Sequence, residues 1–269
     1  MAPSLTTSAA SVDSPKRLWI TGAGKGIGRA VAWEYAARGW NVAVSARTVY
    51  DLATLADEAA AANLPGKILA FPCDVTDHDG LKQAFKAIEH DLGVLDQVIF
   101  NAGTHIPNAV TNFSVAPFRM LMEINFLGVV NGLDAVVHTF AARRAGHIAV
   151  VSSVAGYRGL PLASAYGASK AALINMCEAL RPEMENAGII FSIINPGFVR
   201  TPLTAKNKFP MPFLIDAEVA ARHVFDGMAK GKFEIAFPRP FVIILKLLRI
   251  VPYWLYFAVS RRLIGIKKG

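Results

Sequence analysis

The sequence predicts an α/β fold: a doubly wound parallel sheet flanked by helices, in a single domain with an apolar, basic C-terminal helical extension. Three observations carry this expectation. Short β-rich runs alternate with longer Ala-rich runs of helical pattern, as in a parallel sheet covered on both faces. No Pro/Gly linker, internal repeat or low-complexity block divides the chain. The composition changes abruptly at Phe241, beyond which no acidic residue occurs.

Six runs read as buried strands, because each is apolar, continuous and of strand length. They are Leu18-Trp19-Ile20, Val42-Ala43-Val44, Ile68 to Phe71, Val98-Ile99-Phe100, His147 to Val151 and Ile189 to Ile194. Segments between them, such as Ile27–Arg38 and Leu81–His90, read as helices. Residues 1–15 are small and polar, end in Asp13-Ser14-Pro15, and lack the apolar region of a secretory signal. They are expected to form a flexible leader, ahead of a main domain over 16–240 and an extension over 241–269.

Composition excludes several classes. The 269 residues are 53% hydrophobic and 18% charged, which rules out a disordered or fibrous chain. The net charge of +8 is unevenly placed. Residues 1–205 hold 16 basic and 16 acidic side chains, whereas residues 206–269 hold 12 basic and 4 acidic. The excess lies in the last quarter, so a core that binds nucleic acid is not expected. Cys73 and Cys177 stand alone and the six His residues are scattered, so neither a disulfide framework nor a metal site is expected. A reducing, cytoplasmic compartment follows.

The first strand runs into Thr21-Gly22-Ala23-Gly24-Lys25-Gly26-Ile27-Gly28 and then a helix. Glycines allow a tight turn and close approach of backbone to phosphate, and the helix N-terminus offers free N–H groups. In this strand–loop–helix context the motif reads as a nucleotide site. An NAD site usually carries Asp or Glu at the end of the second strand, about 20 residues on. Here that place holds Ser45-Ala46-Arg47. Arg47 can pair with a ribose 2′-phosphate, and Lys25 is a second cation nearby. NADP(H) is the expected cofactor. Asp74, followed by Val75, reads either as an adenine contact or as a turn or N-cap residue. Asn101-Ala102-Gly103 sits at a strand's carboxyl end, where such sheets bind ligands.

Ser152-Ser153 closes another strand; Tyr166 follows Ser153 by thirteen residues, and Lys170 follows Tyr166 by four. At i and i+4 the last two share a helix face. A free tyrosine has a pKa near 10, and a neighbouring ammonium favours its phenolate, which suits acid–base work. The Ser153 hydroxyl can then hold a substrate oxygen.

With these motifs in place, the chain resembles the short-chain dehydrogenase/reductase family, of the classical, NADP-preferring type with a Rossmann-type sheet. The resemblance rests on the Thr21–Gly28 loop, Asn101-Ala102-Gly103, Asn125, Ser153, Tyr166-x-x-x-Lys170 and Asn195-Pro196-Gly197-Phe198-Val199-Arg200-Thr201, over about residues 16–240. It implies that Tyr166 is the general acid in reduction and the base in oxidation. It implies that Lys170 bonds the nicotinamide ribose and lowers the Tyr166 pKa, and that Ser153 orients the carbonyl. Asn125 would hold a proton-relaying water. Thr201 and the backbone near Pro196, Gly197 and Val199 would bind the carboxamide. Phe100 stands where the family often has a first Asn before Asn-Ala-Gly, a change expected to affect packing. The Asp-Gly-Gly ending common in tetrameric members is missing, so a homodimer is expected instead.

From Phe241 onward the tail is apolar with aromatic residues and cations. Its longest uncharged run, Ile250–Ser260, has eleven residues, short of the ~20 needed to span a bilayer. Two short helices hinged at Pro252 are expected. They read as a peripheral membrane contact on the inner face of a membrane, with loose similarity to membrane-associated hydroxysteroid dehydrogenases; the alternative is an arm packed on a partner subunit. In the loop after Thr201, Leu203, Phe209, Met211 and Phe213 suggest an apolar substrate wall. Together these features predict an NADP(H)-dependent oxidoreductase that interconverts a ketone or aldehyde and an alcohol on a lipophilic molecule. Competing readings are a 3-oxoacyl thioester (acyl carrier protein) reductase and a non-catalytic NADPH sensor or scaffold.

Overall fold

The computed structural model describes residues 15–206 and 210–263. Among these residues, seven strands form one parallel sheet: β1 (Arg17–Thr21), β2 (Asn41–Ser45), β3 (Ile68–Ala70), β4 (Gln97–Phe100), β5 (His147–Val151), β6 (Ile190–Pro196) and β7 (Glu234–Phe237). Their spatial order is β3-β2-β1-β4-β5-β6-β7. Six of them cover the expected strands. The seventh, at the sheet edge, escapes sequence reading because Glu234-Ile235-Ala236-Phe237 is short and opens on an acidic residue. Direction in the strand order reverses between β1 and β4, and the crevice there opens at the carboxyl ends.

Helices cover both faces, as continuous apolar strands demand. One layer is built from α1 (Gly26–Ala37), α2 (Val49–Ala61) and α7 (Ala217–Ala229), which close over Ile20, Val44, Ile99 and Ile194. The other uses α3 (His78–Leu92), α5 (Gly128–Arg143) and α6 (Ser164–Asn186), which close over Trp19, Val98, Val150 and Ile193. A short α4 (Val115–Met122) leads through a π turn (Glu123–Leu127) into α5. The helical stretch Val115–Arg143 has the length and apolarity to cross a membrane. However, its Leu121, Leu133, Val136 and Phe140 are buried, which is the placement of a core helix.

The chain ends in α8 (Arg239–Ile250) and α9 (Tyr253–Leu263), broken at Val251-Pro252 as expected of a proline hinge. The composition break at Phe241 falls inside α8. Phe241, Val242 and Leu245 are buried in the same core as α5 and α6, so the inner side of the extension is integral to the main domain.

Phe100 acts through packing. It is 2% exposed, meets Trp19 edge-on at 6.2 Å, and fills the space where Gly132 has no side chain. Phe100→Asn leaves a cavity and an unpaired buried amide. It should cost about 3 kcal/mol or more in urea unfolding without redirecting the glycine loop.

Candidate active site

The glycine loop is shaped by close approaches. Gly22 has φ +68°, and a Cβ there would lie 2.6 Å from the Ala102 Cα. A Cβ on Gly28 would lie 2.4 Å from both the Gly22 carbonyl oxygen and the Asn101 Nδ2. The loop after β4 is tied to the same place. Thr21 Oγ1 accepts from the backbone N–H of Asn101 (3.1 Å) and Ala102 (3.2 Å), and Asn101 Nδ2 donates to the carbonyls of Thr21 (3.0 Å) and Gly22 (3.1 Å). Thr21 is therefore buried beneath the cleft as a fastener and does not border it.

Every other residue read from the sequence as cofactor-binding borders one cleft of about 740 Å³. Gly22, Gly24 to Gly28, Arg47, Asp74, Val75 and Asn101 to Gly103 line one part of it. Ser153, Tyr166, Lys170, Pro196, Gly197, Val199 and Thr201 line the rest. The N-terminus of α1 faces this cleft with no side-chain cap, so its amides are available to an anion. Volume, close glycine backbone and uncapped amides fit a dinucleotide. A second hollow, of about 790 Å³, lies at the amino ends of the strands beside Lys16, Trp40 and His147 and holds none of these motifs.

Two residues qualify the sequence reading of this end. Asp51, in the first turn of α2, lines the cleft and pairs with Lys25 at 3.2 Å. Sequence reading missed it because it lies beyond the strand end where an acidic residue was sought. Arg47 is exposed on the same wall. Asp74 takes the turn role, accepting from the Thr76 N–H (3.0 Å) and hydroxyl (2.9 Å), while also bordering the cleft. The N-cap of α3 is Asp77, which accepts from the Gly80 N–H at 3.0 Å.

At the chemical end, β5 delivers Ser153 and α6 delivers Tyr166 and Lys170. Ser153 Oγ accepts from the Ala155 N–H at 3.1 Å. Burial raises the Tyr166 pKa, and a hydrogen bond from Ser153 pulls it down. Lys170 Nζ donates to the Val151 carbonyl at 2.8 Å and lies 5.9 Å from the Tyr166 ring centroid. Burial pushes the Lys170 pKa down to about 8. The resemblance assigned the lowering of the Tyr166 pKa to Lys170. In the structure the hydrogen bond from Ser153 pulls it down, while the Lys170 ammonium donates to a backbone carbonyl.

Asn125 is fully buried in the π turn, outside the cleft lining. Its Oδ1 accepts from the Thr104 N–H (2.7 Å), and its Nδ2 donates to the Thr104 carbonyl (3.0 Å) and Ser169 Oγ (3.1 Å). The side chain thus fastens the loop after β4 to α6. Gly103 keeps this corner open, since a Cβ there would meet Asn125 Oδ1 at 3.2 Å and Lys170 Nζ at 3.5 Å. His105 lies edge-on to Tyr166 at 4.8 Å, and burial lowers its pKa, so it stays neutral at pH 7. No motif pointed to His105, nor to Met120 and Ile124 in the cleft wall.

Of the expected substrate wall, Leu203 borders the cleft. Met211 and Phe213 do not, and Phe213 instead packs 6.0 Å from Phe241. Phe209 lies outside the described residues. Thr204, unforeseen, folds the segment by donating to the Val199 carbonyl at 2.6 Å and accepting from the Thr201 N–H at 3.0 Å.

The buried lysine has a stability signature. A pKa lowered from 10.5 to about 8 means the unfolded chain holds more protons between those values, so stability rises with pH there. Relative to Lys170→Met, the wild type should gain stability as pH increases from about 8 to 10.5. Melting temperatures of both proteins across that range check the sign.

Comparison with known proteins agrees with this geometry. The family model of short chain dehydrogenases matches residues 16–210. An uncharacterized oxidoreductase of Myxococcus xanthus is 36% identical over 247 residues, covering 91% of this chain and 96% of its own. A short-chain dehydrogenase/reductase from Burkholderia phymatum, solved with NAD, shares the fold with a TM-score of 0.79 at 23% identity, over 87% of this chain and 92% of its own. An alcohol dehydrogenase from Thermococcus sibiricus, solved with 5-hydroxy-NADP, gives a TM-score of 0.74 at 25% identity, over 82% and 95%. With the nucleotide cradle and the Ser-Tyr-Lys set on one cleft, the chain belongs to the short-chain dehydrogenase/reductase family, oxidoreductases acting on CH–OH and C=O groups.

Proposed function

We propose that the protein is an NADP(H)-dependent oxidoreductase interconverting a ketone or aldehyde and an alcohol on a lipophilic molecule. One observation carries this reading: Ser153, Tyr166 and Lys170 meet in the same cleft as the glycine loop and Arg47. When bound, the nicotinamide supplies or accepts the hydride.

The chain's own residues supply the rest. In reduction, the substrate carbon takes up the hydride while Tyr166 Oη gives its proton to the carbonyl oxygen. The buried Tyr166 is protonated at neutral pH, as a general acid must be. Ser153 donates to the same substrate oxygen and fixes its direction. Lys170, charged below about pH 8, stabilises the phenolate left behind. Asn125 and Thr104 hold the loop that backs this corner. Leu203, Met120 and Ile124 give the cleft an apolar wall suited to a lipophilic substrate. Reduction is the favoured direction, because cells keep NADPH reduced.

The choice of NADP(H) rests on Arg47, exposed on the wall where a ribose 2′-phosphate would lie, and on Lys25, whose ammonium offsets Asp51. Arg47→Asp should weaken NADPH binding roughly tenfold to a hundredfold and leave NADH binding within about twofold, read by fluorescence titration. Equal losses for both cofactors would remove Arg47 from 2′-phosphate recognition. Tyr166→Phe should lower turnover of a carbonyl panel by about a thousandfold with NADPH binding retained. Turnover that survives this change contradicts the proposed acid.

A further inference from the structure

We infer that the outer face of α8 and α9 docks on an anionic lipid surface. The starting observation is a helix pair that is apolar on both sides. Phe241, Val242 and Leu245 fill the core. On the opposite side Ile243 and Leu247 are each 57% exposed, Ile250 is 79%, Tyr253 and Trp254 are each 72%, and Phe257 is 50%. A surface helix with a wet outer face carries polar residues there; an apolar outer face requires a cover.

This face is held outward by the fold. The Arg158 guanidinium caps the carbonyl end of α8, donating to the Arg249 (2.8 Å), Val251 (2.9 Å) and Leu248 carbonyls. It also lies 4.1 Å from the Tyr256 ring centroid. The Tyr256 hydroxyl donates to the Gly159 carbonyl, and Lys246 pairs with Glu234. Both helices are thus fastened to the core with Ile243, Leu247, Ile250, Tyr253, Trp254 and Phe257 left exposed.

Charge selects the occupant. From Phe241 to the end, the chain holds six cations and no acidic residue. Among the described residues, Arg249 and Arg261 form no ion pair. A second copy seated across a two-fold axis would set Arg249 and Arg261 against cations of the same kind, which is unfavourable. Anionic headgroups supply the missing charge, and Trp and Tyr favour the headgroup layer. With 12 and 11 residues, α8 and α9 are roughly 18 and 16 Å long, too short to cross ~30 Å of hydrocarbon. They lie in the interface plane instead.

The position suits a lipophilic substrate. Phe241, in the first turn of α8, stacks on Phe198 at 5.3 Å and lies 6.0 Å from Phe213. Through its buried side, α8 therefore adjoins the segment that carries Leu203 to the cleft, on the face opposite the docking surface. The lipid contact itself does not depend on the catalytic reading.

The test uses the full chain and vesicles of phosphatidylcholine with or without about 30 mol % phosphatidylglycerol. Co-sedimentation should be about tenfold stronger with anionic vesicles and should fall between ~50 and ~500 mM salt. Tryptophan emission should shift to the blue on binding, and Trp254→Phe should abolish the shift. The double change Leu247→Glu with Ile250→Glu should reduce vesicle binding about tenfold or more, with NADPH binding intact to show that the protein is folded. Equal binding to neutral and anionic vesicles, or no binding, overturns the proposal. So does a double variant that binds as the wild type, or one that turns a dimer into a monomer by light scattering, which would assign the face to a second copy. Turnover of a water-soluble aldehyde, measured alongside, reports on the oxidoreductase reading alone.

Discussion

The hydrogen bonds between Thr21 and Asn101 fasten the carboxyl ends of β1 and β4 at the point where the sheet changes direction. The rest of the site depends on that junction. It leaves room only for glycine at Gly22 and Gly28, and it thereby sets how near the backbone comes to a bound phosphate. The same junction starts the loop that Asn125 then ties to α6 through Thr104 and Ser169. One set of backbone-directed hydrogen bonds therefore links the nucleotide end of the cleft to the chemical end. Polar side chains at these positions are largely spent on holding the cleft's shape.

The chemical end is governed by desolvation. Lys170 has a single carbonyl partner and dense surroundings, so its proton is held less tightly than in water. Tyr166 experiences the opposite shift from the same cause, because burial disfavours its phenolate. Each group is thereby pushed toward its neutral form, so the tyrosine keeps its proton at neutral pH. Ser153 moderates the tyrosine's shift by bonding its hydroxyl.

The extension is bound to the site by chemistry rather than by chain connection alone. Tyr157, four residues past Ser153, bonds Glu234, which also accepts from Asn195 and pairs with Lys246 of α8. Arg158, next in the chain, caps the end of α8. The loop after β5 thus carries both Ser153, which borders the cleft, and the attachment of α8 and α9. A composition that looks like an appended tail is therefore half core and half exposed surface.

Much of the protein is legible in its residues. Strand and helix alternation, the glycine loop, Asn101 to Gly103 and the Ser153, Tyr166, Lys170 spacing are local patterns, since each depends on period or on chain neighbours. The break at Pro252 is local in the same sense. The edge strand β7 was hidden because its pairing with β6, not its own composition, makes it a strand. Asp51, His105, Met120 and Ile124 reach the cleft, or the groups lining it, only because distant segments converge there. Fold class and family could thus be read from residue order alone, and so could the spacing that brings Ser153, Tyr166 and Lys170 to one cleft. That Lys25 faces Asp51, that Lys170 turns to a carbonyl, and that one particular side of α8 is buried emerged only with the folded chain. Partner choice and burial depend on what lies across space, and no local pattern encodes that.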